Sequence, residues 1–598
     1  MITSSLTLED SLKRWFGYNE FRPMQKQIVQ ALLDHQDVLA ILPTGAGKSI
    51  CYQLPAMLMQ GIAVVISPLI SLMQDQVVSL YKNGLPAAFL NSSLPSEEIQ
   101  SVLNSLSDYK LLYISPERLF DEQFISYLEK TTVSFFAIDE AHCISQWGHS
   151  FRPEYRKLSL LKEKFPKSAI IALTATATKE VERDIAGQLL MTSPFLVRAS
   201  FDRPNLSIEI YPKQETLRQL KHFLERHPHV SGIVYAATRK TVDETYEHLK
   251  KEGFKVGKYH AGMIDVERGS FQYDFIHGDL PIMVATLAFG MGIHKPDIRF
   301  VVHLDMPRSI EQYYQEIGRA GRDGLPATCL LLYSAQEALI YHSFLEQITD
   351  EQVRKVTKQK TDRMLHFCKS RLCRRKELLR YFDELYPFSS CERCDNCLDT
   401  HEMYDETLLA QKVLSCVFRL KQQFGVNYVV DVLRGAKIKA IFDRGHDRLS
   451  TYCLTPDVSE SDLRSLIDQL IELGFLKRSQ GDYPVLQWTD LTPGVIQGNT
   501  KVFVHKKIAQ AVPKKSPKKE AEYDQVLFDQ LSLLRRQISQ QMKVPAFVVF
   551  GDRALIEMCQ VLPKSREEML RVNGVGPIKW EKYGAVFLDV ILRYKQSQ

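Results

Sequence analysis

Short runs of consecutive apolar, largely β-branched residues punctuate the first half of the chain. Ala63-Val64-Val65-Ile66, Leu111-Leu112-Tyr113-Ile114, Phe135-Phe136-Ala137-Ile138 and Ile170-Ile171-Ala172-Leu173 have no polar alternation, as expected of strands covered on both faces. Helix-like stretches separate them, which is the pattern of a doubly wound parallel sheet. A second series follows with Gly232-Ile233-Val234-Tyr235, Pro281-Ile282-Met283-Val284-Ala285, Phe300-Val301-Val302-His303 and Cys329-Leu330-Leu331-Leu332. The chain therefore reads as two similar α/β lobes, 1–204 and 205–340. Beyond them the pattern turns helical and Cys-containing over 341–402. A small helical domain with a hairpin near Gly481-Asp482 spans 403–504, and a last helical domain spans 523–598. The stretch 505–522 carries Pro513, Pro517 and Lys506, Lys507, Lys514, Lys515, Lys518 and Lys519, the composition of a basic linker.

At 598 residues the length allows several domains, and 45% hydrophobic with 25% charged residues is ordinary for a globular protein. The net charge of +5 is too mild to define a polyanion partner, so any nucleic-acid-binding charge is local. No apolar run reaches the roughly 18 residues of a membrane span, and Met1 to Asp10 is polar, unlike a signal peptide. A cytoplasmic protein without a membrane partner is expected, with its 11 cysteines reduced except where they cluster.

Candidate chemistry begins after the probable strand Asp37 to Ile41. Thr44-Gly45-Ala46-Gly47-Lys48-Ser49 has the glycines and the Lys-Ser pair of a phosphate-binding loop, although Leu42 stands where the strict motif has Gly. Such glycines let backbone N–H groups curl around phosphates at a helix N-terminus, with Lys48 reaching the outer phosphates and Ser49 a Mg²⁺ ion. Downstream, the apolar strand Phe135 to Ile138 ends in Asp139-Glu140-Ala141-His142. Asp139 is suited to hold Mg²⁺ and Glu140 to polarise an attacking water. In the second lobe, Gln315-Glu316-Ile317-Gly318-Arg319-Ala320-Gly321-Arg322 offers two arginines among glycines. Two arginines here could reach across a cleft to stabilise a transferring phosphoryl group; with Lys48 supplied from one lobe and Arg322 from the other, and Arg319 as the alternative, hydrolysis would depend on lobe closure. Cys391, Cys394 and Cys397, with Cys373 upstream, have the spacing of a tetrahedral structural zinc site; Cys368 is the alternative first ligand.

With these residues in place, the chain resembles the RecQ family of superfamily-2 DNA helicases over almost its whole length. The most specific match is Asp139-Glu140-Ala141-His142 continued by Cys143-Ile144-Ser145-Gln146-Trp147-Gly148-His149 and Phe151-Arg152-Pro153-Glu154-Tyr155. In the family this aromatic-rich loop senses single-stranded DNA and signals to the ATP site, which implies stacking by Trp147 and Phe151 and a phosphate contact by Arg152. Ser150 stands where the family commonly has Asp, and His294 replaces a usual Asn. Phe16-Gly17-Tyr18 and Phe21-Arg22-Pro23-Met24-Gln25 resemble the adenine-reading motif, implying roles for Tyr18, Arg22 and Gln25.

The resemblance implies two RecA-like lobes followed by a helical zinc module, a winged helix with Arg434 on DNA phosphates, and an HRDC-like domain. It further implies ATP, Mg²⁺ and Zn²⁺, and 3′-to-5′ translocation on single-stranded DNA with unwinding of forked duplexes in recombination and repair. Single-strand-binding or other repair proteins are implied partners, and a nucleoid-associated location if the protein is bacterial. Two rival readings are an RNA helicase of the same superfamily and a catalytically silent DNA-binding scaffold. The aromatic loop, zinc cysteines and winged helix weigh against the first. The intact Lys48, Asp139, Glu140, Gln315, Arg319 and Arg322 weigh against the second.

Overall fold

The computed structural model describes residues 7–82, 84–91, 94–145, 147–148, 152–287, 289–290, 295–346, 350–398, 403–479, 484–505, 523–542 and 544–596. Phe151, His294, the hairpin tip around Gly481-Asp482 and the linker lysines lie outside them. The chain forms two compact units, one of residues 1–368, 378–387 and 519–598, the other of 369–377 and 388–518.

The first lobe is a seven-stranded sheet. Its strands are β1 (Val38–Ile41), β2 (Ile62–Ile66), β3 (Ala87–Leu90), β4 (Leu111–Ile114), β5 (Val133–Ile138), β6 (Ala169–Thr174) and β7 (Phe195–Arg198). They run parallel in the order β3-β4-β2-β5-β6-β1-β7. β1, β2, β4 and β6 are buried at every residue, as their unbroken apolar runs require.

The second lobe has six strands: β8 (Leu206–Pro212), β9 (Ser231–Tyr235), β10 (Val256–Tyr259), β11 (Ile282–Ala285), β12 (Ile298–His303) and β13 (Ala327–Tyr333). They are parallel in the order β10-β11-β9-β12-β13-β8. The sheet closes at Tyr333, and the helix Ala335–Leu345 then runs through residue 340, where the sequence pattern suggested a boundary.

The segment between the lobes is held by aromatic packing. Phe201 and Phe382 stack face to face with centroids 4.3 Å apart, Tyr314 lies edge-on to Phe201, and the Tyr314 hydroxyl donates to Phe201 O at 2.8 Å. All three rings are buried or nearly so. In the same unit, the helices Gln525–Met542, Asp552–Val561 and Ala585–Gln596 enclose a core built on Leu527, Phe550, Leu555 and Phe587.

The other unit packs the helices Thr407–Arg419, Val426–Arg434 and Glu460–Glu472 around Leu414, Val430 and Ile467. β14 (Met403–Asp405) pairs antiparallel with β17 (Phe503–His505), and β15 (Leu476–Arg478) with β16 (Leu486–Trp488). The second pair is the wing hairpin, anchored where Trp488 Nε1 donates to Leu414 O at 3.0 Å.

Phe382→Ala is expected to cost about 3–5 kcal/mol of stability, the usual penalty for emptying a buried aromatic site. Calorimetry would read it as an earlier unfolding transition of the unit that holds the two lobes.

Candidate nucleotide site and zinc cluster

β1 delivers the chain into the loop Pro43–Ser49, after which the helix Ile50–Leu58 begins. Gly45 and Gly47 both adopt left-handed backbone, with φ 84° and 80°. At Gly47 the need for glycine is also spatial, because a Cβ there would lie 2.5 Å from Gln25 Nε2. That amide donates to Ala46 O (3.1 Å) and Gly47 O (2.9 Å), while the Arg22 guanidinium donates to Gly45 O. Arg22 and Gln25 therefore brace the phosphate loop from outside. Tyr18 is 53% exposed, and Phe21, Arg22, Met24 and Gln27 line an open cavity of about 380 Å³.

β5 ends at the two carboxylates. Asp139 accepts the Glu140 N–H at 3.0 Å, and burial beside the Glu140 charge raises its carboxyl above the usual carboxylate range. Lys48 opposes that shift, and burial in turn lowers the Lys48 ammonium. A buried carboxyl with so little compensation is suited to a dication. Glu140 takes a left-handed conformation at φ 48° that no glycine relieves. Its carboxylate lies 3.3 Å from His142 Nδ1, which also meets Thr174 Oγ1 at 2.9 Å. Thr174 O accepts the Leu42 N–H at 2.9 Å, so β6 links the acidic strand end to the phosphate loop.

The second lobe closes the site through the helix Ile310–Ile317 and the turn after it. Gln315 Nε2 reaches Glu140 Oε1 at 3.5 Å. Arg322 packs over the phosphate loop, its Cγ 3.3 Å from where a Gly45 Cβ would stand. Burial, with Arg319 and Arg203 nearby, pushes the Arg322 guanidinium down to about 9, which leaves it charged at pH 7. Arg319 turns the other way, donating to Gly290 O within its own lobe. Of the two arginines, Arg322 is the one packed on the phosphate loop, within electrostatic reach of Lys48 and Glu140.

Arg203, which the sequence reading missed, joins the two sides. Its guanidinium donates to Thr44 O (2.9 Å), Gly318 O (3.3 Å), Ala320 O (2.9 Å) and Gly321 O (3.0 Å). The available signal was an arginine next to Pro204 in the segment joining two lobes. Gly318 itself abuts the loop so closely that a Cβ would fall 1.8 Å from Thr44 Oγ1.

Of the residues assigned to DNA, Trp147 is half-buried, and its carbonyl accepts from Lys360 Nζ at 2.5 Å. Arg152 is partly exposed and 4.0 Å from Glu117. Arg434 ends its helix on the surface, 3.9 Å from Glu460.

The sulfurs of Cys373, Cys391, Cys394 and Cys397 all lie within 4.8 Å of one another, with Cys391 and Cys397 3.9 Å apart. A tetrahedral zinc thiolate site has sulfur–sulfur edges of about 3.8 Å, so the four residues fit that ion. Cys368 is not among them; it is buried in the helix Glu351–Lys369. Arg374 grips Asp395 through Nε (3.0 Å) and Nη2 (3.0 Å), and Asn396 Nδ2 donates to Ser370 O (3.0 Å) and Leu372 O (2.6 Å). These bonds fix the two cysteine-bearing segments against each other.

Family models match in the same order as these modules. They are a DEAD/DEAH box helicase over 22–184, a helicase conserved C-terminal domain over 213–324, RecQ zinc-binding over 335–398, an RQC domain over 400–512 and an HRDC domain over 524–591. The architecture is that of a DEAD/DEAH box helicase motor with appended zinc-binding, RQC and HRDC modules. The chain is 42% identical over 591 residues to the ATP-dependent DNA helicase RecQ of Haemophilus influenzae, covering 98% of this chain and 95% of that protein. It is 41% identical over 587 residues to the protein of the same name from Bacillus subtilis, covering 98% of each. A mimivirus protein named as a putative ATP-dependent RNA helicase is 36% identical over 494 residues, 80% of this chain and 90% of that protein. The chain belongs to the RecQ family of ATP-dependent DNA helicases.

Gly318→Ala is expected to push the second lobe off the phosphate loop and to lower kcat for ATP hydrolysis by about 10², read in a steady-state phosphate-release assay. Cys394→Ser is expected to reduce bound zinc, measured by atomic absorption, and to destabilise the unit of residues 369–377 and 388–518, with a chelator acting the same way on the unmodified protein.

Proposed function

We propose that the protein couples ATP hydrolysis to 3′-to-5′ movement along single-stranded DNA and unwinds forked duplexes in recombination and repair. The observation that carries this reading is the approach of Lys48, Asp139 and Glu140 from one lobe and Gln315 and Arg322 from the other to one phosphate loop. In this reading Tyr18 stacks on the adenine and Arg22 and Gln25 hold its edge or the loop beneath it. Thr44, Gly45, Ala46 and Gly47 present backbone N–H groups to the phosphates, and Lys48 neutralises the outer ones. Ser49 and Asp139 would hold Mg²⁺, which supplies charge compensation on the phosphates when bound. Glu140, steadied by His142 and Gln315, orients the water. Arg322 completes the charge on the transferring group, and Arg319 holds the turn that presents it. Trp147, Phe151, Arg152 and Arg434 serve the DNA track, with single-strand-binding or other repair proteins as candidate partners.

The mimivirus relative's name supports one second reading, an RNA substrate. Matched DNA and RNA strands in one ATPase assay separate the two. DNA-stimulated hydrolysis is expected, with unwinding of a 3′-tailed duplex and none of a 5′-tailed one. Stimulation by RNA alone would replace the DNA reading. Unwinding from the 5′ tail would reverse the polarity, and absence of turnover would leave a DNA-binding scaffold. Lys48→Ala and Glu140→Gln are expected to abolish turnover. Arg322→Ala is expected to retain nucleotide binding and lose on the order of 10³ in kcat. Loss of nucleotide binding instead would move the finger role to Arg319.

A further inference from the structure

The helix Ile310–Ile317 is tied at both ends to the first lobe. At its C-terminal end Gln315 meets Glu140, and the turn that follows carries Arg322. At its N-terminal end Glu311 is buried, and its carboxylate pairs with Lys360 Nζ at 2.9 Å. Lys360 stands on the helix Glu351–Lys369, and the same ammonium donates at 2.5 Å to the carbonyl of Trp147 in the loop after His142. The side chains of Lys360 and Glu311 are only 13% and 5% exposed. The Tyr381 hydroxyl also hydrogen-bonds Glu311. A buried ammonium between a carboxylate and a loop carbonyl is a strong, directional contact. A loose surface pair would not transmit displacement in this way.

We propose that Lys360 is a positioning residue that passes displacement of the Trp147 loop to the helix Ile310–Ile317, and through it to Gln315 and Arg322. This rests on the reading that the Trp147 loop meets single-stranded DNA and that DNA stimulates hydrolysis. When the strand shifts the Trp147 backbone, the Lys360 ammonium follows the carbonyl and draws on Glu311. The helix is eight residues long, so movement at Glu311 is carried one turn along to Gln315 as a nearly rigid body. The path is contiguous: the helix Glu351–Lys369, which belongs to neither sheet, touches the Trp147 loop of the first lobe and Glu311 of the second through the one ammonium.

The test measures ATP hydrolysis with and without single-stranded DNA, together with DNA affinity by fluorescence anisotropy. The proteins are the full chain and its variants Lys360→Met, Lys360→Arg and Lys360→Met with Glu311→Gln. The paired variant removes the charge that Lys360→Met alone would strand in the interior, so a folding defect in the single variant does not decide the outcome. Both Met-containing proteins are expected to lose about tenfold of the DNA stimulation, with the DNA-free rate and DNA affinity within about twofold of the parent. Lys360→Arg is expected to keep most of the stimulation. Unchanged stimulation in the folded double variant would overturn the proposal. Equal losses of stimulated and DNA-free rates would overturn it too, by giving Lys360 a merely structural role. A loss of DNA affinity that accounts for the lost stimulation would make Lys360 a DNA contact instead. If the parent protein itself shows no DNA stimulation, the functional reading beneath the proposal fails, and that result is visible before any variant is compared.

Discussion

The two lobes depend on one guanidinium. Arg203 lies in the short segment between the sheets and donates to backbone carbonyls of the phosphate loop on one side and of the Gly318–Gly321 turn on the other. Burial lowers its pKa, and the carbonyl dipoles that surround it hold the charge in place. Because its partners are main-chain atoms, the bonds constrain where the loop and the turn can run. Asn205 adds to the same junction by donating to Gly321 O and Leu325 O, each at 2.9 Å. The closeness of Gly318 to Thr44, and of Arg322 to Gly45, follows from this clamp.

The sheet interiors were legible in the sequence, and the edges were not. Every strand read as an apolar run lies inside a sheet, flanked on both sides. The four strands that went unread, β3, β7, β8 and β10, are the outermost strands of the two sheets. An edge strand has less surface to cover and carries a mixed pattern. β7 is only partly buried, β8 alternates buried and half-buried residues, and β10 is Val-Gly-Lys-Tyr. The β14–β17 pair joins segments about a hundred residues apart, Met403–Asp405 and Phe503–His505, and has no local signal for pairing over such a separation.

In the site, residues close together in sequence were legible because their chemistry is local. The phosphate loop, the Asp139-Glu140 strand end and the cysteine cluster each need particular residue types at short spacing. Contacts made across the fold left no such mark. Arg203, Asn205 and Lys360 look like ordinary polar residues until the lobes are brought together. The sequence reading favoured Arg322 over Arg319 without a geometric reason for the choice. They are three positions apart on one turn, and only the packing of Gly290 and Gly45 separates their directions.

Both halves of the nucleotide site belong to a single polypeptide, joined by the segment that holds Arg203. In ring-shaped motors the arginine that completes such a site comes from a neighbouring copy, so assembly and chemistry are inseparable. On the proposed reading the arginine here arrives at an effective concentration set by the tether, independent of how many other copies are present. On the proposed reading, dilution leaves the chemistry of each molecule intact. On that reading a solitary copy carries every residue that a turnover needs.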